Sequence, residues 1–129
     1  MTEYDWATIQ GQVPAKANNY KIVYYNGHPS LGKEDSVKSY ETAFLWQLPP
    51  RMRNLEINKP FEFYIRVYFT SVAHDLDNAL KTVMDCLQYT HTIKNDNKCC
   101  KIVAEKCIDK VNPRIEFKII ELWKWRNLP

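Results

Sequence analysis

Apolar positions change their period along the chain, and each change marks an element. From Phe61 to Phe69 they alternate: Phe61, Phe63, Ile65, Val67 and Phe69 fall on one face, Glu62, Tyr64, Arg66 and Tyr68 on the other. This predicts a strand with one buried face and one partly polar face. From Leu76 to Tyr89 the spacing lengthens, and Leu76, Leu80, Val83 and Leu87 line one side of a helix. A helix is also predicted over Ser36 to Leu48. There Val37, Tyr40, Phe44 and Leu48 recur at helical spacing, Leu45 widens the stripe, and Pro49-Pro50 end it. Two more strands are read over Lys98–Ile108 and Arg114–Trp123, with Asn112-Pro113 turning between them. In the second, Ile115, Phe117 and Ile119 point inward and Arg114, Glu116 and Lys118 outward.

The rest of the pattern is weaker. Thr8 to Gly11 reads as a short first strand, and Gln12 to Asn19 as a loop, since Pro14 fixes one backbone angle and Asn18-Asn19 favour turns. Lys21 to Tyr25 is rich in β-formers and stops at Asn26-Gly27, a strong turn signal. It belongs either to the same sheet as the first strand or to an irregular arm. Arg51 to Lys59 is a polar connector, and Lys124 to Pro129 an exposed tail. This order predicts an α+β fold with a mixed sheet, two main helices packed largely on one face, and a closing hairpin. A chain of 129 residues suits one domain, taken here as 1–129.

Composition sharpens this picture only in part. Hydrophobic residues at 45% and charged residues at 26% are a globular balance, which excludes a disordered chain. No apolar run is long enough to cross a membrane. Met1-Thr2-Glu3-Tyr4-Asp5-Trp6 lacks the basic and apolar stretches of a secretory signal, so the cytoplasm is the expected location. The formal net charge of +3 is only weakly basic. Its distribution says more: acids gather over Asp75–Asp96, while lysines dominate Lys94–Lys110. The four cysteines, Cys86, Cys99, Cys100 and Cys107, contain no CxxC pair. Adjacent Cys99 and Cys100 would point to opposite faces of a strand, so they read as reduced thiols.

The chemistry centres on Asp75-Leu76-Asp77-Asn78-Ala79-Leu80-Lys81, which follows a strand and opens a helix. Two carboxylates at such a junction can converge on one cation. Asp96, beyond the helix, can join them if its loop folds back to the helix start. Hard divalent cations want carboxylate oxygens and retain water. Bound near a phosphodiester, such an ion polarises it and activates water. Lys81, on the same helix side as Asp77, can neutralise charge growing on the phosphate. Each residue also has an ordinary use. Asp75 can cap the helix, Asp77 can favour its dipole, Lys81 can pair with Asp77 or Asp85, and Asp96 can sit in a turn.

The run from Asp75 to Leu87, followed by Ile93-Lys94-Asn95-Asp96, resembles the core of the RusA family of Holliday-junction resolvases. That family's pattern is D-x-D-N-x-x-K-x-x-x-D-x-L, then a short gap, an apolar residue and a D-D pair. Gly11-Gln12-Val13-Pro14-Ala15-Lys16-Ala17-Asn18 is similar to the family's opening glycine-proline-lysine-asparagine segment. The resemblance implies a structure-selective endodeoxyribonuclease that resolves four-way DNA junctions by paired phosphodiester hydrolysis in recombination and repair. It implies Asp75, Asp77 and Asp96 as ligands of Mg2+ (with Mn2+ able to substitute), Lys81 as a catalytic lysine, and a homodimer. The family is common in phages and prophages. The sequence departs from the pattern at Asn95, where the family has an acid, and Asp96 stands alone. Asp85 matches the pattern and is read as orienting Lys81.

Lys16, Asn18, Lys94, Lys98 and Lys101 are candidate DNA contacts, each equally open to a solvated surface role. His74 and His91 read as polar surface residues, and Trp46, Trp123 and Trp125 as core or interface. The alternative to a nuclease is a branched-DNA-binding protein that keeps the fold but cuts weakly or not at all because of Asn95. A structural protein with a fortuitous acidic cluster is a third reading.

Overall fold

The computed structural model describes residues 1–14, 20–25, 28–33 and 35–128, with side chains described for 1–14 and 36–128. Ten elements follow one another: β1 (Thr2–Gln10), β2 (Tyr20–Tyr25), β3 (His28–Lys33), α1 (Asp35–Gln47), a 3-10 turn at Pro50–Met52, β4 (Phe61–Phe69), α2 (Leu76–Tyr89), a 3-10 turn at Asp96–Lys98, β5 (Cys99–Ile108) and β6 (Arg114–Glu121). Four strands form a mixed sheet in the order β1-β6-β4-β5, and β2 and β3 form a separate antiparallel pair. The fold is α+β, as the periodicities predict.

Alternation along β4 sets the core. Phe61, Phe63, Ile65, Val67 and Phe69 are buried with Ile115, Phe117 and Ile119 of β6 and Ala7 and Ile9 of β1. The register makes this one face, with Ile65 opposite Phe117 and Phe117 opposite Ala7. The stripes of both helices close over it: Tyr40 and Phe44 from α1, with Leu48 just after it, and Ala79, Val83 and Leu87 from α2. Phe44 stacks on Phe117 at 6.0 Å between ring centroids. The sheet's other face is polar and aromatic. Arg66 lies 4.4 Å over the Trp6 ring and pairs with Glu116 at 3.1 Å, and Arg114 lies 3.8 Å over the Tyr68 ring.

Three expectations change. β1 begins at Thr2 rather than Thr8, because the whole segment pairs with β6 as far as Glu121. Lys21–Tyr25 lies in neither the main sheet nor an irregular arm, but in the hairpin with β3. The closing hairpin does not form, because β4 separates β5 from β6. β4, α2 and β5 make a crossover, which places β5 parallel to β4 and leaves β4's other edge to antiparallel β6. Trp46 and Trp123 are exposed, which leaves the interface half of their reading, and the tail is largely exposed as expected, with Arg126 Nη2 2.7 Å from Glu62 Oε2.

This topology orients α2. β4 delivers the chain to the start of α2 at one end of the sheet, and α2 returns it to the other end, where β5 begins. Phe61 is opposite Cys99 at that second end, and Phe69 is opposite Ile108 at the first.

Candidate active site

Asp75 occupies the N-cap position of α2, with φ −95° and ψ 128°, yet its carboxylate caps no backbone N–H. Its Oδ2 instead accepts a 3.4 Å bond from Asn78 Nδ2. Asp77 lies in the first turn, and both acids are exposed. The positive end of the helix dipole favours two carboxylates here, and the missing cap bond leaves Asp75 oxygens for another ligand.

Three other elements brace the loop that leads into these acids. Gln12 Oε1 accepts from the Thr70 N–H at 2.8 Å, and Gln12 Nε2 lies 2.8 Å from His74 Nε2. An amide nitrogen only donates, so this contact is a hydrogen bond with Nε2 of the His74 ring as the acceptor. That ring also stacks on Phe69 at 5.2 Å. From β5, Lys106 Nζ donates to the carbonyls of Val72 and His74 at 2.8 and 2.6 Å. Thr82 Oγ1 of α2 donates to the Pro14 carbonyl at 2.9 Å. Sequence reasoning passed over Gln12 and Lys106 as functional residues. Gln12 lies inside the opening segment that carries the resemblance. Lys106 has no signal in spacing, because its role arises from a strand register.

Asp96 stands elsewhere. Its N–H donates to Oε1 of Gln88, in the last turn of α2, at 2.7 Å. The N–H groups of Thr92 and Ile93 bond the Leu87 carbonyl, and Lys94 bonds Ile57. Asp75 and Gln88 are separated by about 20 Å of helix at 1.5 Å per residue. One chain therefore brings Asp75 and Asp77 together and holds Asp96 near the opposite end of α2. Among the described residues no three His, Cys, Asp or Glu side chains gather as a metal cluster. Asn95 caps the turn after it, its side-chain oxygen accepting from the Asn97 N–H at 2.9 Å. The Asp96 carboxylate is exposed. It adds to the burial that pushes the nearby Cys99 thiol up to about 11, burial being the larger cause.

Lys81 is exposed on α2 and forms no ion pair with Asp77 or Asp85 among the described residues. Asp85 is half-buried, and no hydrogen bond or ion pair joins it to Lys81 among the described residues. Lys94 is exposed and Lys98 half-buried beside Asp96, while exposed Lys101 lies 5.8 Å over the Tyr64 ring. Lys16 and Asn18 lie outside the described residues. His91 is exposed, as expected, and pairs with Glu56 at 3.3 Å.

The family profile named Endodeoxyribonuclease RusA matches residues 11–120. The chain belongs to the RusA family. The match spans the opening segment, the Asp75–Leu87 core, Asp96 and the strand that follows. RusA membership supports an endonuclease that acts on branched DNA junctions, with divalent metal dependence general to the family. No curated protein matches the sequence. Among solved structures, a GTPγS-form protofilament of TubZ from Bacillus thuringiensis serovar israelensis superposes with TM-score 0.43 and 7% identity, over 91% of this chain and 24% of that one. A likeness at that level carries no functional argument. No helix among the described residues is long and apolar enough to cross a membrane.

The oxygen donors of the RusA site suit a hard cation such as Mg2+ or Mn2+. The Asp75 carboxylate, which caps no backbone N–H, and the Asp77 carboxylate in the first turn of α2 are the residues that would hold it. Lys106 fixes the backbone on which Asp75 stands.

Proposed function

We propose that this protein is an Mg2+-dependent endodeoxyribonuclease that resolves four-way DNA junctions by paired phosphodiester hydrolysis. The observation that supports it best is the Asp75 carboxylate, placed at a helix N-cap but left without a backbone partner, with Asp77 one residue beyond the helix start. Asp75, Asp77 and Asp96 are the ligands in this reading. When bound, the cation polarises the phosphodiester and lowers the pKa of the attacking water. Lys81, one turn beyond Asp77, neutralises charge that grows on the phosphate. Lys94, Lys98 and Lys101, with Lys16 and Asn18, contact the DNA backbone and draw phosphate in despite the carboxylates. A homodimer offers two identical sites for the two opposed strands of a junction. Such an enzyme works where DNA is recombined, which agrees with the cytoplasmic location and the phage or prophage setting the resemblance implies.

The test is cleavage of a synthetic four-way junction with and without Mg2+, beside a linear duplex of the same sequence. Paired nicks on the junction that require the cation are expected. Lys81→Ala should slow cutting by about a hundredfold while junction affinity stays within a fewfold. Unfolding of that variant, seen by circular dichroism, would assign the lysine a structural role instead. The second reading, a junction binder that cuts weakly or not at all, is supported by Asn95, whose side chain is committed to capping. It predicts salt-dependent junction binding with no Mg2+-dependent product.

A further inference from the structure

We infer that the segment after β6, residues 122–128, forms with Met1 a docking surface for an acidic peptide segment of another protein, whose large apolar side chains seat in two adjoining clefts. The surface lies where β1 and β4 begin, since Thr2 and Phe61 are both opposite Glu121, and Asp75 and Asp77 follow the other end of β4. Three apolar side chains are left in solvent there: Trp123, Met1 and Leu128 are 79%, 67% and 67% exposed. Single exposed apolar residues are ordinary, but a group of them on one surface marks a contact site. Trp123 and Met1 line one cleft, of about 310 Å³, with Leu122, Lys124 and Arg126. Trp125, Leu128 and Arg126 line the second, of about 450 Å³, with Glu62 and Lys101. Arg126 is common to both, so the clefts adjoin.

The segment is tied down at two points. Leu122 is buried, and its N–H donates to the Pro60 carbonyl at 2.8 Å. Further on, Arg126 Nη2 pairs with Glu62 Oε2 at 2.7 Å. Glu62 is 3% exposed, and the Tyr64 hydroxyl donates to its other oxygen at 2.7 Å, so this anchor is itself fixed. Trp123 therefore stands in solvent on backbone held on both sides. A large side chain presented in this way loses little freedom when a partner covers it, which is how a tryptophan comes to dominate an interface.

Charge selects the occupant. Lys124 and Arg126 bring positive charge to the first cleft, and Lys101 and Arg126 to the second. The one carboxylate among the described lining residues, Glu62, is buried and engaged by Arg126 and Tyr64. The rims therefore call for negative charge, and the clefts for apolar side chains between the charges. A second copy of this chain, facing the first about a two-fold axis, would set these cations against themselves with no acid to answer them. A DNA strand answers the charge but not the shape. Three cations, one of them already paired, neutralise few phosphates, and a phosphate does not fill an apolar cleft. A peptide that alternates acids with large apolar residues meets both demands. Docked at this end of the sheet, it leaves the loop before Asp75 open.

Fluorescence anisotropy on the full chain tests the surface. The probe is a short labelled peptide in which glutamates alternate with leucine and phenylalanine. One counterpart carries lysine in place of glutamate, and another carries serine in place of leucine and phenylalanine. The probe should bind with micromolar Kd, and each counterpart at least about tenfold more weakly. Trp123→Ala should weaken the probe at least about tenfold, and Lys124→Glu about fivefold. Both side chains are exposed, so circular dichroism of each variant should match the wild type, and junction cutting without peptide should be unchanged. A probe that fails to bind, that binds no better than its lysine counterpart, or that binds Trp123→Ala as well as wild type overturns the proposal. Oligothymidine bound more tightly than the probe, and lost in Trp123→Ala, assigns the surface to nucleic acid and overturns it too. So does a lower mass of Trp123→Ala in light scattering, which assigns the surface to a second copy. If wild-type protein cuts no junction, the nuclease reading fails, and the anisotropy still decides this one.

Discussion

The two ends of α2 both present exposed carboxylates, but the chain builds them in different ways. At the N-terminal end, Gln12 of the opening segment and Lys106 of β5 bond the loop before Asp75, and Thr82 of α2 donates to the Pro14 carbonyl of that opening segment. At the C-terminal end, Asp96 sits in a short 3-10 turn held by local capping and one glutamine side chain. One end is braced by side chains from distant elements; at the other, backbone bonds with Asn54, Glu56 and Ile57 hold the loop before Asp96, and local capping holds the turn itself.

The sharpest way to break this comparison is to remove the acids. On the proposed ligand set, Asp75→Asn, Asp77→Asn and Asp96→Asn should each lower junction cutting by at least about a hundredfold, because each would remove a ligand charge from a hard-cation site. Junction affinity should hold or rise, since an acid that repels phosphate is gone. Stability should move by less than about 0.5 kcal/mol for Asp75→Asn, because asparagine suits an N-cap as well as aspartate and no cap bond is lost. Full activity of Asp75→Asn would refute the ligand assignment.

Bracing predicts the next effect in size. Lys106→Met removes the ammonium that holds the Val72 and His74 carbonyls, and should slow cutting about tenfold at saturating DNA, with melting lowered by about 1 kcal/mol. Gln88→Ala removes a single acceptor from the Asp96 N–H, in an exposed position, and should cost about half of that in stability. Equal effects from the two substitutions would show that the ends are built alike.

Much of this was legible in the sequence where local pattern and tertiary structure agree. β4 and α2 begin and end where their periodicities do, because a strict period of two or a helical stripe leaves one way to bury the side chains. The place of β5 was not legible. Its residues read as a strand, but whether it pairs with β6 or crosses over to pair with β4 depends on the path of α2, which no residue of β5 encodes. The same gap hid the separation of Asp96 from Asp75 and Asp77: spacing shows that a loop is long enough to return, and topology decides whether it does. Lys106 was lost for a related reason, since its partners are backbone carbonyls that any sequence would supply.

Proton chemistry separates the ends further. Cys99, next to the Asp96 turn, is held up to about 11 chiefly by burial, with the Asp96 charge adding to it. A raised thiol pKa keeps the neutral form through neutral and mildly alkaline pH, and any stability it contributes is lost as pH rises through the folded value. Alkylation of Cys99, followed by mass spectrometry of its peptide, should stay slow at pH 8 and quicken steadily toward pH 11. In Asp96→Asn the profile should move to lower pH. A profile unmoved by that change would place the Asp96 carboxylate beyond reach of the thiol.

The smallest expected effect is at Asn95, the one departure from the family's acidic pair. Its side-chain oxygen is already engaged with the Asn97 N–H, and aspartate caps a turn in the same way. Asn95→Asp therefore adds a negative charge without freeing an oxygen that points elsewhere. The capping bond should persist, stability should shift by a few tenths of a kcal/mol, and cutting should change by less than about threefold, with Asp96 still acting as the ligand. The measurement is the junction-cleavage rate at matched Mg2+ and Mn2+ concentrations, with thermal melting as the check on the cap. A modest change in metal preference fits a charge placed next to a ligand rather than on it. A rise from no detectable product to robust cutting would show that position 95 carries the essential acid, and that the natural protein binds junctions without resolving them.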